Sequence, residues 1–238
     1  MHDWAMDWLT LSADEWNAVR LSLKVASVAV AASLPFAIAV AHVLARREFW
    51  GKSLLNGLIH LPLVLPPVVT GYLLLLTFGK NGTLGRFFYE TIGLVFAFRW
   101  TGAALACAIM AFPLIVRAIR LSFEAVEPRL EETAADLGAR PLMVFLTITL
   151  PLSLPGLIAG AILGFAKAMG EFGATITFVS NIPGVTQTLP SAIHAFTQVP
   201  GGDFQALRLI VISIAISFTA LIAAEAVARR ISRKISVA

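Results

Sequence analysis

Glu171 stands in an otherwise apolar stretch, with Lys167 four residues before it. A carboxylate within a membrane-grade run is expensive and marks either function or a pairing. On one helix the two side chains share a face. They either neutralise each other or set a gate near a transport route. Gly170 and Gly173 flank the acid and permit bending or close packing. Thr175, Thr177, Ser180 and Asn181 follow. They offer weak hydrogen-bond donors to an outer mouth, or else cap their own helix end. Upstream, 61–69 reads L-P-L-V-L-P-P-V-V, with Pro62, Pro66 and Pro67 in one apolar run, followed by Thr70 and Gly71. Proline removes a backbone donor and kinks a helix. Broken helices are tolerated in a membrane where they face protein or a water-filled cavity. A packing kink and a pathway role are both open for this run.

A second acidic group lies at 127–141, between two apolar runs. Pro128 suits the first position of a helix. Glu131 and Glu132 fall in its first turns, where negative charge complements the helix dipole. Leu130, Ala134 and Leu137 follow one face at steps of four and three. Gly138 supplies a helix-ending residue, and Pro141 can open the next helix. The spacing therefore predicts a short amphipathic helix, a glycine turn and a second helix that Pro151 and Pro155 disturb. Such a unit is either an interfacial hairpin or a handle for a soluble partner.

The elements that must carry these residues are membrane spans. The chain is 58% hydrophobic and only 13% charged over 238 residues, with a mean hydropathy of +0.84. Soluble domains average about 25% charged residues, so the expectation is one all-α, polytopic membrane domain over 1–238. A span needs about 20 mostly apolar residues. Five are expected, at about 22–45, 57–78, 99–120, 155–178 and 205–228. The segment 91–98 is weakly apolar and leaves room for a short sixth or re-entrant piece. Gly156, Gly160 and Gly164 recur at every fourth residue, a spacing that lets helices approach closely; a contact within the subunit is expected rather than a dimer face.

Basic residues set the orientation. Arg46, Arg47 and Lys52 form one basic loop, Arg117, Arg120, Arg129 and Arg140 a second region, and Arg229, Arg230, Arg233 and Lys234 a basic tail. Five spans put these three regions on one side, the cytoplasm, and the acidic N-terminus outside; Lys80, Arg86 and Arg99 run against this bias. Trp4, Trp8 and Trp16 suit an interfacial belt. The net charge of +4 follows from these flanking residues and does not argue for nucleic acid. The acidic N-terminus lacks the basic region of a cleaved signal.

Nothing points to enzyme chemistry. Gly51-Lys52-Ser53 lacks the first glycine of a phosphate loop, because Arg46 stands there. His42, His60 and His194 are scattered without metal-ligand spacing. Cys107 is the one cysteine, within an apolar run, and reads as a buried structural thiol.

The stretch from Glu132 resembles a known family. E-A-A, three residues, G, nine residues, I-x-L-P is the signature of permease subunits of bacterial ABC importers. Glu132, Thr133 and Ala134 take the first places, Gly138 the glycine, and Ile148, Leu150 and Pro151 the end; Thr133 replaces the commonest alanine. The finer resemblance, over nearly the whole chain, is to molybdate permeases. It is carried by H-L-P-L-V-L-P-P-V-V-T-G-Y from His60, F-P-L-I-V-R-A-I-R-L from Phe112 and G-E-F-G-A-T-I-T-F-V-S-N-I-P-G from Gly170. Sulfate permeases share a related E-F-G stretch, so sulfate, thiosulfate or tungstate are the alternative cargoes.

The resemblance implies a type I importer core in a bacterial inner membrane. It implies that 127–141 is the coupling helix seated in a cleft of an ATPase subunit, with Glu131, Glu132, Thr133, Ala134, Asp136, Leu137 and Gly138 at the contact. The implied partners are two ATPase copies, a periplasmic molybdate-binding protein, a second permease copy and membrane lipid. ATP and Mg would sit on the ATPase, with no cofactor or metal on this chain. Pro66, Thr70, Gly71, Lys167, Gly170, Glu171, Gly173, Thr175 and Thr177 are the candidate pathway or gate residues. A transport path holds its anion weakly, since tight binding slows release. Sparse hydroxyls suit that need, whereas an isolated Glu171 would repel an oxyanion and is not expected to be its ligand. An ion-driven secondary transporter is the remoter alternative; it would not need the 127–141 handle.

Overall fold

Ser12 and Glu15 start the first long helix. The Ser12 hydroxyl accepts from the Glu15 amide at 3.3 Å, and the Glu15 carboxylate accepts from the Ser12 amide at 2.7 Å. This reciprocal pair satisfies two amides that the first turn leaves without partners. The helix, α1, runs Ala13–Arg46 in the computed structural model, which describes residues 11–235. It is followed by α2 (Lys52–Val64), α3 (Pro67–Phe78), α4 (Thr83–Ile92) and α5 (Trp100–Glu124). Next come α6 (Pro128–Asp136), α7 (Pro141–Leu152), α8 (Leu154–Met169), α9 (Gly173–Val179), α10 (Leu189–Thr197) and α11 (Asp203–Ile235). All regular structure among the described residues is helical.

The helix α5 is the hub. It packs along α1 on one side and α8 on the other. Both helices turn small residues into shared clusters: Ala26 and Ala29 with Ala103, Ala104 and Ala106, and Ala37 and Ala41 with Ala111, all buried. Close backbone approach gives tight van der Waals packing where lipid supplies no hydrophobic drive between helices. The α8 contact uses the glycine stripe. A Cβ on Gly156 would lie 2.1 Å from the Ser122 Cβ, and one on Gly164 would lie 2.6 Å from the Ile115 side chain. The stripe is therefore a contact inside the subunit, as the spacing predicts. Cys107 is buried beside it and donates its thiol to the Ala168 carbonyl at 3.5 Å.

Three helices are long and apolar enough to cross a membrane alone, α1, α5 and the start of α11, and two bent pairs bring the number to five. The pairs depart from the simple spans. Between α2 and α3 the chain bends by 111° at Leu65 and Pro66. Pro66 and Pro67 explain the break, since neither donates a backbone hydrogen bond. The expected span at 57–78 is thus two short helices at a sharp angle. Between α7 and α8 the bend is 68°, where the Ser122 and Ser153 hydroxyls each donate to the other's carbonyl, at 3.2 and 3.4 Å. The expected span at 155–178 is also corrected: α8 stops at Met169 and helix resumes only at Gly173. Residues 91–98 hold no span. They are the end of α4, closed by Gly93 at φ 68°, and the turn after it. Trp16 is exposed; Trp4 and Trp8 of the expected belt lie outside the described residues.

Candidate functional site

The acidic segment forms the short helix that its caps predict. Pro128 opens α6, which buries none of its residues. Gly138 turns the chain out of it at φ 86°, a left-handed conformation that costs other residues roughly 1–2 kcal/mol. Glu132, Thr133, Asp136, Leu137 and Gly138 all face outward, and Leu137 is 86% exposed. Leu130 on α6 and Leu142, Met143 and Leu146 on α7 are exposed as well. Thr133 returns its hydroxyl to the Arg129 carbonyl at 2.7 Å, while Ala134 is half-buried.

Glu131 behaves differently from its neighbour Glu132. Its carboxylate turns back into the protein and meets the Arg46 guanidinium through two contacts of 3.0 Å. Thr149 donates to the same carboxylate at 2.5 Å, and Arg46 also donates to the Val126 carbonyl at 3.1 Å. Glu131 thus ties α6 to the end of α1 and to α7 and is not presented outward with Glu132. Thr149 reaches it from a wide, π-helical turn at Phe145–Thr149. Pro151, which cannot donate to Thr147, lies immediately beyond this turn. Wide turns of this kind recur at functional sites.

At Glu171 the structure brings most of the other candidates together. Lys167 and Glu171 do pair, at 2.7 Å, but not along one continuous helix. Glu171 sits in the break after α8, 2% exposed. Its second oxygen accepts from the Ala174 amide at 3.0 Å. It therefore holds Lys167 with one oxygen and the start of α9 with the other. The charge is paired and hydrogen-bonded, the condition under which a buried carboxylate is tolerated.

The helix α9 lies directly on α3. A Cβ on Gly71 would come within 2.5 Å of the Ala174 carbonyl, and one on Gly173 within 2.7 Å of the Pro67 ring. Pro66 precedes α3 as its cap. Thr175 and Thr177 spend their hydroxyls on backbone carbonyls, of Phe172 at 2.8 Å and Gly173 at 2.9 Å. Both are back-bonds within α9, to the carbonyls three and four residues earlier. Thr70 differs: its hydroxyl is buried with no partner among the described residues. Gly170 touches little beyond its own helix and leaves room at the break.

Two anchors were not legible in the sequence. Arg46, half-buried here, stood out only as a topological charge. Glu15 stood out only as part of an acidic N-terminus, yet it is fully buried against Arg208, whose Nε donates to it at 2.9 Å and whose Nη2 makes a second contact. A capping-box acid followed by an apolar run was the one local sign at Glu15.

Residues 33–233 match the family described as binding-protein-dependent transport system inner membrane component. The chain is 56% identical to the molybdenum transport system permease protein ModB of Escherichia coli (strain K12), over 95% of this chain and 98% of that one. It is 55% identical to the ModB of Haemophilus influenzae, over 93% and 96%. The sulfate transport system permease protein CysW of Synechococcus elongatus is 38% identical over 73% of this chain and 60% of its own. In fold, the chain is similar to a subunit of a bacterial alginate ABC transporter solved with an alginate-bound periplasmic protein. That match has a TM-score of 0.75 at 15% identity and covers 97% and 83% of the two chains. The inward-facing MetNI methionine ABC transporter gives a TM-score of 0.67 at 14% identity, over 97% and 99%. The chain belongs to the inner membrane components of binding-protein-dependent transport systems.

Proposed function

We propose that this chain is the membrane-spanning subunit of an ATP-driven importer of molybdate. The observation that carries the transport mechanism is α6. It is a nine-residue helix with no buried residue, an exposed leucine at its end, and a rigid internal tie through Glu131. An exposed apolar and acidic helix held this firmly suits seating in a partner's cleft, and it has no use in a self-sufficient carrier. The partner is the ATPase subunit, in two copies, each under one copy of a permease homodimer. ATP and Mg belong to that subunit, and this chain is not an enzyme. A periplasmic binding protein delivers the anion to the opposite face. The molybdate assignment rests on the ModB relatives, which align over nearly their full length. Sulfate is the second reading, favoured only by the more distant CysW likeness.

The basic loop at Arg46, Arg47 and Lys52 lies at the α6 end, because Arg46 bonds Glu131. Under the positive-inside bias that end is cytoplasmic, and the Glu15–Arg208 end is periplasmic. ATP binding would draw the two α6 helices together. The movement would pass through Arg46 to α1 and through Thr149 to α7 and α8. The α3–α9 contact beside Glu171 is where that movement would open or close the route.

The test is reconstitution. Proteoliposomes containing the permease, its ATPase and the binding protein should take up radiolabelled molybdate only with ATP inside. A tenfold preference for sulfate would move the assignment to the second reading. Uptake driven by a proton gradient without ATP would refute an ABC permease.

A further inference from the structure

A cleft of about 340 Å³ opens between α2 and the last turns of α5, and its polar lining comes from Asn56, His60, Arg117, Arg120 and Glu124. It lies at the same end as α6, since Glu124 is the last residue of α5 and Pro128 begins α6. What each group has left to offer is informative. Arg120 donates to Glu124 at 2.7 Å and to the Asn56 side-chain oxygen at 3.3 Å. The His60 Nδ1 donates to the Asn56 backbone carbonyl at 2.8 Å. Both acceptors of Asn56 are therefore engaged, and its amide NH₂ is left to donate. Arg117 has no hydrogen-bond or ion-pair partner among the described residues. Two guanidiniums face one carboxylate, so the lining keeps an excess of positive charge and spare N–H groups.

Guanidinium groups match tetrahedral oxyanions through forked, charge-assisted hydrogen bonds. We propose that Asn56, Arg117 and Arg120 form a low-affinity site for a tetrahedral oxyanion, occupied by the transported anion as it leaves toward the cytoplasm. The site rests on the transport reading above. One wall of it is α2, which the 111° bend joins to α3 and its unpartnered Thr70 hydroxyl. Thr70 and Asn56 thus sit on successive halves of one broken element, with Arg117 and Arg120 on α5 across the cleft from Asn56. Glu124 inside the cleft keeps the net attraction modest, as release requires. A phospholipid headgroup carries the same oxyanion chemistry and is the competing source.

The measurement is equilibrium dialysis of radiolabelled molybdate against the nucleotide-free permease–ATPase complex, without binding protein, in nanodiscs of phosphatidylcholine alone. Arg117→Gln should weaken binding about tenfold, the loss of a charge-assisted contact, and Arg117→Lys should recover part of it. Arg117 bonds nothing in the fold, so its substitution leaves the complex assembled. Affinity unchanged in both Arg117→Gln and the Arg117→Gln/Arg120→Gln double variant would overturn the proposal. In parallel, native mass spectrometry follows anionic lipid carried from bacterial membranes. Lipid retained by wild type and lost in Arg117→Gln, with molybdate binding unaffected, would assign the cleft to a headgroup and overturn the exit role. Arg117-dependent binding of sulfate in a complex that fails to import molybdate would refute the cargo and leave the oxyanion site standing.

Discussion

Arg46 and Glu131 are 85 residues apart and share two contacts of 3.0 Å. Their side chains are only 17% and 19% exposed. The pair joins the end of the first long helix to the helix proposed to dock on the ATPase, and Thr149 adds a second joint from α7. A partly buried, charge-assisted bond of this kind contributes about 1.5–3 kcal/mol. If it transmits movement, weakening it should separate ATP hydrolysis from uptake. Glu131→Gln is expected to retain ATPase assembly while lowering molybdate uptake per ATP hydrolysed severalfold. The reversal Arg46→Glu/Glu131→Arg should restore part of that ratio. An unchanged ratio in Glu131→Gln would show that the pair is only a brace.

Glu132 and Leu137 face away from the fold, so their substitution should act on the partner and not on the membrane domain. Glu132→Lys and Leu137→Asp are expected to abolish ATPase co-purification or stimulated hydrolysis. The permease itself should keep its melting temperature within a degree or two, because exposed positions contribute little to stability. Gly138 is a separate case. At φ 86°, Gly138→Val should distort the turn and lose uptake, while Gly138→Asn, which tolerates that conformation, should keep most of it.

Helix α6 was legible because its signals are local. Pro128, Glu132 and Gly138 sit at fixed offsets that caps and dipoles dictate, and the resemblance rests on the same residues. The stripe Gly156, Gly160, Gly164 was legible because spacing alone puts three small residues on one face. The break at 170–172 was not. No proline marks it, and the run of glycine, glutamate and phenylalanine is compatible with a continued helix until Glu171 bonds the Ala174 amide. The direction of Glu131 was also hidden, since Glu131 and Glu132 look alike until Arg46 is brought beside one of them. The Glu15–Arg208 pair, 193 residues apart, left a local sign only at Glu15, through its capping box, and none of its partner.

Gly71 and Gly173 allow α3 and α9 to touch backbone to backbone. In Gly71→Ala the new methyl would meet the Ala174 carbonyl at 2.5 Å, an atom that cannot rotate away. Overpacking of this sort costs typically about 1–3 kcal/mol. Gly71→Ala should lower the melting temperature in detergent and reduce uptake. Gly57→Ala, where a Cβ meets nothing within 4 Å, is the control and should do neither. Equal effects of the two would remove the α3–α9 contact from any account of the route.

Arg208 and Glu15 close the opposite end. The carboxylate is fully buried and also caps α1, so Arg208→Ala would strand a charge with no counterpart. Breaking a buried pair from one side costs about 3–5 kcal/mol, whereas replacing both charges is often neutral. Arg208→Ala should therefore lower the melting temperature well beyond Glu15→Gln/Arg208→Met, in which the introduced glutamine preserves the capping box. The pair ties α1 to α11 far from α6. The double variant should keep the ratio of uptake to ATP hydrolysis that Glu131→Gln loses. Measuring both ratios in the same proteoliposomes separates an anchor that holds the fold from a joint that moves it. If the double variant also uncouples, the Glu15–Arg208 end takes part in the transition and α1 moves as one rigid lever between Glu15 and Arg46.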